Sequence, residues 1–218
     1  MDGNGRWAQA KGLPRFAGHQ AGAKMVREIV ECAAELGLEV LTLYAFSHEN
    51  WKRPKKEISL LMSLLEYFLE AELKNLLEND IRLQAIGRLE ALPPKALSKL
   101  RKTIQATRHN KGLVLNLALN YGSRQEILDA VKRIVADPPH EITEATISGN
   151  LYTRELPDPD LLIRTSGEMR LSNFLLWQIS YAEIYITEKF WPDFKKAEFL
   201  KAMDVYKKRE RRFGAVKA

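Results

Sequence analysis

The sequence predicts an α/β fold: one domain with a mostly parallel central sheet flanked by helices. Three observations carry that expectation. Segments with helical spacing alternate with short strand-like runs along the chain. VLTLYAF is a short β-branched and aromatic run, which suits a strand covered on both faces. The chain has 218 residues, 45% of them hydrophobic, enough for one sizeable core and short for two, so the domain is expected to span 1–218.

In chain order, AGAKMVREIVECAAEL (21–36) has helical spacing with its start near His19, and Gly37 follows as a natural stop. VLTLYAF (40–46) is a β-branched and aromatic strand. PKKEISLLMSLLEYFLEAELKNLLEND (54–80) reads as one long amphipathic helix entered through proline. IRLQAIG (81–87) is a strand, and PPKALSKLRKTIQATRHN (93–110) is a helix entered through prolines. VLNLALN (114–120) is the next strand and SRQEILDAVKRIVAD (123–137) the next helix, with Ser123 placed to cap it. Residues 137–160 are loop-rich with at most one short helix. LLIR (161–164) and AEIYIT (182–187) are brief strands, and residues 195–213 form a charged final helix. The opening stretch, MDGNGRWAQAKGLPRFAGHQ, shows no secondary-structure period.

Composition narrows the function. Cys32 is the single cysteine, which excludes an internal disulfide and a thiolate zinc site and suits a reducing, cytoplasmic setting. The net charge of +6 favours an anionic partner. No run approaches the roughly 20 apolar residues of a membrane span, and the opening residues lack the basic-then-apolar layout of a signal peptide. The basic KKRERRF run reads as a solvated helix end. Without stacking aromatics or a known module, nucleic acid is not an expected partner.

Polar loops follow three of the strands: SHENWKRP, YGSR and TSGEMRLSN. In an open parallel sheet, ligands bind beyond the carboxyl ends of the strands, where these loops would gather. Turn-making suffices for YGSR but leaves Trp51, Arg53, Glu168 and Arg170 unexplained. GNGRWA (3–8) matches the dinucleotide fingerprint only formally, because no strand precedes it here and Trp7 stands where backbone must approach a pyrophosphate. A phosphate nest remains: Gly3 and Gly5 turn N–H groups toward an anion while Arg6, Arg15 and His19 supply charged donors. Asp2, the one acid among them, is suited to share Mg²⁺ with phosphate oxygens. Taken singly, Asp2 and His19 also read as caps, Arg15 and Arg53 as surface charges, and Trp51 as core. Ser47 and Asn50 present small polar groups at a strand end, and Arg164, Arg170 and Ser172 are placed to hold a second anion. Glu183, opening another strand, is the remaining acid of interest. The apolar stripe from Leu60 to Leu69 is either core or the wall of a tunnel for a hydrocarbon tail.

The motifs MDGNGRW, GHQAGAK, TLYAFSHENWKRP, LNLALNYGSRQEI and DLLIRTSGEMRLSNFLLWQISYAEIYITEKFWPDF resemble those of the cis-prenyltransferases, in particular the bacterial undecaprenyl diphosphate synthases, over essentially the whole chain. The aspartate-rich DDxxD pattern of the trans class is absent. The resemblance implies repeated condensation of isopentenyl diphosphate onto farnesyl diphosphate with Mg²⁺. The product would be a long cis-polyprenyl diphosphate such as undecaprenyl diphosphate, the lipid carrier for cell-wall polysaccharide. By position, Asp2 would ligate Mg²⁺ and assist departure of the allylic diphosphate. Gly3, Asn4, Gly5, Arg6, Arg15 and His19 would hold that diphosphate, with Trp7 against the prenyl chain. Ser47, His48, Glu49, Asn50, Trp51 and Arg53 would form the neighbouring loop, with Asn50 the proton acceptor. Arg164, Arg170, Leu171 and Ser172 would bind isopentenyl diphosphate, and Glu183 would be a second Mg²⁺ ligand. The resemblance also implies a homodimer, with Arg212-Phe213-Gly214 completing the partner's site, and peripheral contact with the inner membrane face through the lipid product. The family carries an apolar strand immediately before its MDGNGRW, whereas Met1 is the first residue here. Asp2 is therefore expected to hang loosely on a free end. The rival reading is a non-catalytic scaffold subunit of a heteromeric enzyme, but such subunits usually lose the site residues that this chain retains.

Overall fold

In the computed structural model, residues 1–210 are described. Three strands pair in parallel: β1 (Val40–Ser47) and β2 (Arg82–Ile86) flank β3 (Val114–Tyr121). Val114 of β3 sits in register with Val40 on one side and Arg82 on the other. Every residue of β3 is buried, Asn116 and Asn120 included. β4 (Leu161–Arg164) and β5 (Glu183–Ile186) form a separate parallel pair. The expected parallel arrangement is thus present, in two pieces. Among the described residues, β1 and β4 each leave one edge without a strand partner, and both line a cavity of about 830 Å³.

The helices are α1 (Asn4–Ala10), α2 (Arg15–Glu35), α3 (Lys55–Ala71), α4 (Leu73–Glu78), α5 (Pro94–Thr107), α6 (Ser123–Ala136), α7 (Glu144–Gly149) and α8 (Lys196–Lys207). Helices α3 and α5 pack on one another, and the main core gathers Ile29, Leu69, Leu83, Leu100, Leu115 and Leu117 beneath them.

Four expectations are corrected. The opening stretch is helical: α1 forms, and α2 begins at Arg15 rather than near His19. Tertiary contact supplies what local periodicity does not, because α1 docks on α2 at Gly18 and Gly22. A Cβ on Gly18 would lie 1.9 Å from the Asn4 carbonyl oxygen, and one on Gly22 would lie 2.2 Å from Asn4 Oδ1. The helix expected over 54–80 is interrupted at Glu72, whose buried carboxylate takes a bidentate bond from Arg27 of α2 (2.9 Å from Nε to Oε2, 2.7 Å from Nη2 to Oε1). Ser123 is the first residue of α6 rather than its cap, and its buried Oγ accepts from the Leu176 N–H at 3.0 Å. The last helix stops at Lys207. Arg212, Phe213 and Gly214 lie outside the described residues.

Candidate active site

The carboxyl ends of β1, β3 and β4 feed three loops that meet. β1 runs into a 3₁₀ turn, His48–Lys52, closed by the Ser47 N–H donating to Asn50 Oδ1 at 3.2 Å. That turn is tied to the loop after β4 by Asn173 Nδ2, which donates to Glu49 Oε1 at 2.8 Å. Asn173 also accepts the Ser123 and Arg124 N–H groups at the start of α6.

Beneath the loops lies a cavity of about 520 Å³ with two kinds of wall. Asp2, Asn4, Arg6, Arg15, His19 and Arg53 line its polar part, joined by Glu168 and Arg170. Leu43, Phe46, Leu61, Met62, Leu65 and Phe68 line the rest. The leucine-rich stripe therefore divides: Leu69 belongs to the sealed core, whereas Leu61, Leu64, Leu65 and Phe68 face the cavity.

Two cationic seats stand at this hollow and where it meets the larger cavity. In the first, Asp2 Oδ2 receives Arg164 Nη2 at 3.0 Å, and Arg6 Nη2 lies 3.7 Å from Asp2 Oδ1. Arg6 Nη1 also donates to Glu168 Oε1 at 2.6 Å, and Arg170 reaches the other oxygen of the same carboxylate. Arg164 Nη1 extends to Ser172 Oγ at 2.8 Å. In the second, Glu57 of α3 gathers Arg53 at 3.0 Å, Arg15 at 3.6 Å and His19 Nε2 at 3.7 Å. Each seat holds one more arginine than carboxylate, a surplus suited to an added anion.

Asp2 is firmly held, contrary to expectation. Its N–H donates to Thr165 Oγ1 at 2.9 Å, and its carbonyl accepts from Thr165 Oγ1 and the Trp191 N–H, each at 3.0 Å. Gly3, at φ 92°, turns its N–H onto Asp2 Oδ1 at 2.7 Å. Burial works to raise the Asp2 pKa, but the Arg164 and Gly3 hydrogen bonds outweigh it and hold the carboxyl below its ordinary value. His19 is shifted down, first by burial and then by the Arg53 guanidinium, so its ring is neutral at pH 7.

One family's sequence profile, described as "Putative undecaprenyl diphosphate synthase", matches residues 1–214. The chain belongs to this prenyltransferase family. Proteins named isoprenyl transferase from Geobacillus kaustophilus and Fusobacterium nucleatum are 53% and 52% identical, covering 100% of this chain and 87% and 94% of theirs. Among solved structures, lavandulyl diphosphate synthase from Lavandula x intermedia, in complex with dimethylallyl diphosphate, aligns with a TM-score of 0.96 at 38% identity, over 98% of this chain and 95% of that one. A probable undecaprenyl diphosphate synthase from Campylobacter jejuni aligns at 0.82 and 41%, over 89% and 92%.

Within this prenyltransferase frame the expected site residues sort unevenly. Asp2, Gly3, Asn4, Gly5, Arg6, Arg15 and His19 all line the hollow, with Arg15 packed over Gly5. Asn50, Arg53 and Arg170 border both cavities, and Arg164, Leu171, Ser172, Ser47 and Glu49 line the larger one. Trp7, His48 and Trp51 line neither. Trp7 carries the Lys11 ammonium 4.3 Å above its ring, and Trp51 packs edge-on against Phe46. Glu183 is not brought to Asp2: it opens β5, at the far end from Arg164, and pairs with Arg209 at 2.5 Å. Two residues that organise the seats had no role assigned from sequence. Glu168 was visible as an unexplained loop acid, and Glu57 only as the residue four places after Arg53 on a helix start.

Proposed function

We propose that this chain elongates an allylic diphosphate, farnesyl diphosphate being the expected primer, by adding isopentenyl diphosphate units in cis geometry. The observation that carries this reading is the pair of cationic seats around two cavities that share Asp2, Asn50, Arg53 and Arg170, with Asp2 between Arg6 of one and Arg164 of the other. In each round the allylic C–O bond breaks and its electron pair leaves with diphosphate. The isopentenyl double bond forms the new C–C bond, and one proton is lost to restore an alkene. Charge accumulates on the departing diphosphate, so pre-placed guanidinium groups act where the transition state needs them. Arg15, Arg53 and neutral His19 suit the allylic diphosphate, whose tail would run along Leu61, Leu65 and Phe68. Arg164, Arg170 and Ser172 suit isopentenyl diphosphate. Holding both in reacting geometry contributes roughly 7–11 kcal/mol. The apolar wall keeps water from the cationic carbon. Asn50 Oδ1 uses one lone pair on the Ser47 N–H and keeps a second for the departing proton.

The donor set fits Mg²⁺. A single ionised carboxylate amid arginines cannot hold the ion alone, but it suits an ion that takes its other ligands from diphosphate and water. Bound there by Asp2, Mg²⁺ would supply charge neutralisation to the leaving group. Among the described residues no cluster of three metal-ligating side chains exists, in keeping with a metal carried by its substrate. We further propose a homodimer that touches membrane through its lipid product. No described helix is long and apolar enough to cross one.

Incubation with farnesyl diphosphate, labelled isopentenyl diphosphate and Mg²⁺ tests the reading. Extended labelled lipid is expected, and Arg164→Ala should raise the isopentenyl diphosphate KM by tenfold or more, with a smaller change in kcat, at roughly 1.4 kcal/mol per tenfold. Absence of label from extended lipid would reject it, as would the scaffold alternative's signature, activity only with a second protein.

A further inference from the structure

The NYGSR segment at the end of β3 does more than turn the chain. We propose that Asn120 is a positioning residue for prenyl transfer, its carboxamide fixing the 48–52 turn and with it the placement of Asn50. The inference rests on the transferase reading above.

Asn120 is buried and sits at φ 46°, in the left-handed region that asparagine tolerates better than most residues. Its Oδ1 accepts the Trp51 indole N–H at 2.7 Å and faces His48 Nδ1 at 3.2 Å, while its Nδ2 donates to the Arg88 carbonyl at 2.8 Å. An indole nitrogen only donates and a carbonyl only accepts, so the carboxamide has one possible orientation. His48 Nδ1 must then carry a proton, which leaves Nε2 bare in the neutral ring. One side chain thereby holds two residues of the turn that surround Asn50.

The bracket is itself anchored away from the loop. Arg88 returns its N–H to the Asn120 carbonyl at 3.3 Å, and its guanidinium grips Asp129 of α6 through two bonds of 2.9 Å. Arg53, by contrast, is held independently by Glu57 of α3. Loosening the turn should therefore displace Asn50 while leaving the anion seats in place. The expected signature is a fall in kcat with KM nearly unchanged.

Asn120→Gly separates this role from a backbone one, because glycine accepts the left-handed φ without strain while deleting the carboxamide. The variant should fold, with a melting temperature lowered by the buried Trp51 N–H and Arg88 carbonyl it leaves unpaired. Its kcat should drop about tenfold or more, with both KM values within about threefold. Trp51→Phe should lower kcat too, and adding it to Asn120→Gly should bring no further loss, since both remove the same bond. Nitrogen NMR of the wild type should show the His48 tautomer protonated on Nδ1. Wild-type kcat in Asn120→Gly, multiplying effects in the double variant, or an Nε2-protonated His48 would each overturn the proposal. The tautomer is read without turnover, so an inactive wild type would refute the transferase reading while the His48 ring still reports whether the Asn120 bracket exists. The Trp51→Phe and tautomer measurements also decide the matter if Asn120→Gly does not fold.

Discussion

Arg164 Nη2 stands 3.0 Å from Asp2 Oδ2, joining the end of β4 to the second residue of the chain. Thr165, next to Arg164, bonds the Asp2 backbone at both its N–H and its carbonyl, so carboxylate and guanidinium are placed by one strand end. Asp2→Ala should therefore lower kcat strongly, on the order of 10²-fold, with modest loss of substrate affinity. Asp2→Asn, which keeps the shape and loses the charge, should be nearly as slow. Steady-state kinetics across Mg²⁺ concentrations check this, and normal turnover in either variant would refute a role for the charge. Because the folded pKa is depressed, the ion pair's stabilisation is complete at neutral pH. It fades only as pH falls below the ordinary carboxylate value of 3.8.

Gly18 lets the backbone of α2 approach the Asn4 carbonyl, where a Cβ would meet oxygen at 1.9 Å. Gly18→Ala should cost about 1–3 kcal/mol through overpacking against unyielding backbone. Since α1 carries Arg6, activity should fall with stability. Gly37→Ala is a poor control because its φ is 68°, whereas Gly149, with open space around it, should accept alanine nearly unchanged. Urea titrations of the Gly18 and Gly149 variants check the contrast, and equal midpoints would overturn it.

These two predictions show what was legible in the sequence. β1 to β5 announced themselves because short runs rich in β-branched and large apolar residues, and the polar loops after them, are local properties. The loops after β1 and β4 were legible too, since Arg53 and Arg170 exceed what turns require. The contact that Glu72 makes at the junction of α3 and α4 was not legible, because its partner Arg27 lies 45 residues earlier. Helix α1 was hidden for the same reason: its stability comes from the Gly18 and Gly22 groove, and glycine inside a helix reads locally as weakness. Trp7 and Trp51 looked like substrate contacts, yet an aromatic beside a site does not reveal which way its ring turns. Asn120 passed as the last residue of a strand, because its bonds to Trp51 and His48 exist only after folding.

His19 gives a pH signature. Its folded pKa lies below the ordinary 6.5, owing to burial and then to Arg53, so the unfolded chain binds its proton more readily. Its contribution is therefore destabilising as pH falls below about 6.5 and absent well above it. His19→Gln should flatten the loss of urea resistance between pH 7.5 and 5.5, and an unchanged slope would refute the assignment. Saturating pyrophosphate should reverse the effect by favouring the charged ring, making anion binding tighter at the acidic end.

Leu65 faces the hollow between Leu61 and Phe68 on α3, beyond the polar seats. On the proposed reading, a growing tail passes these residues after the first additions, while the reacting atoms lie near Asp2 and Asn50. Leu65→Trp should therefore leave the first condensation within a few-fold of wild type and stop elongation early, because later intermediates meet the indole ring. The steric term is felt only once the tail reaches it, so the change should appear in product length rather than in KM. Labelled products resolved by chain length would show a shift toward shorter lipids. An unaltered distribution, with the indole accommodated, would mean the tail leaves the site by another route, and the 830 Å³ cavity between β1 and β4 is the one the structure offers.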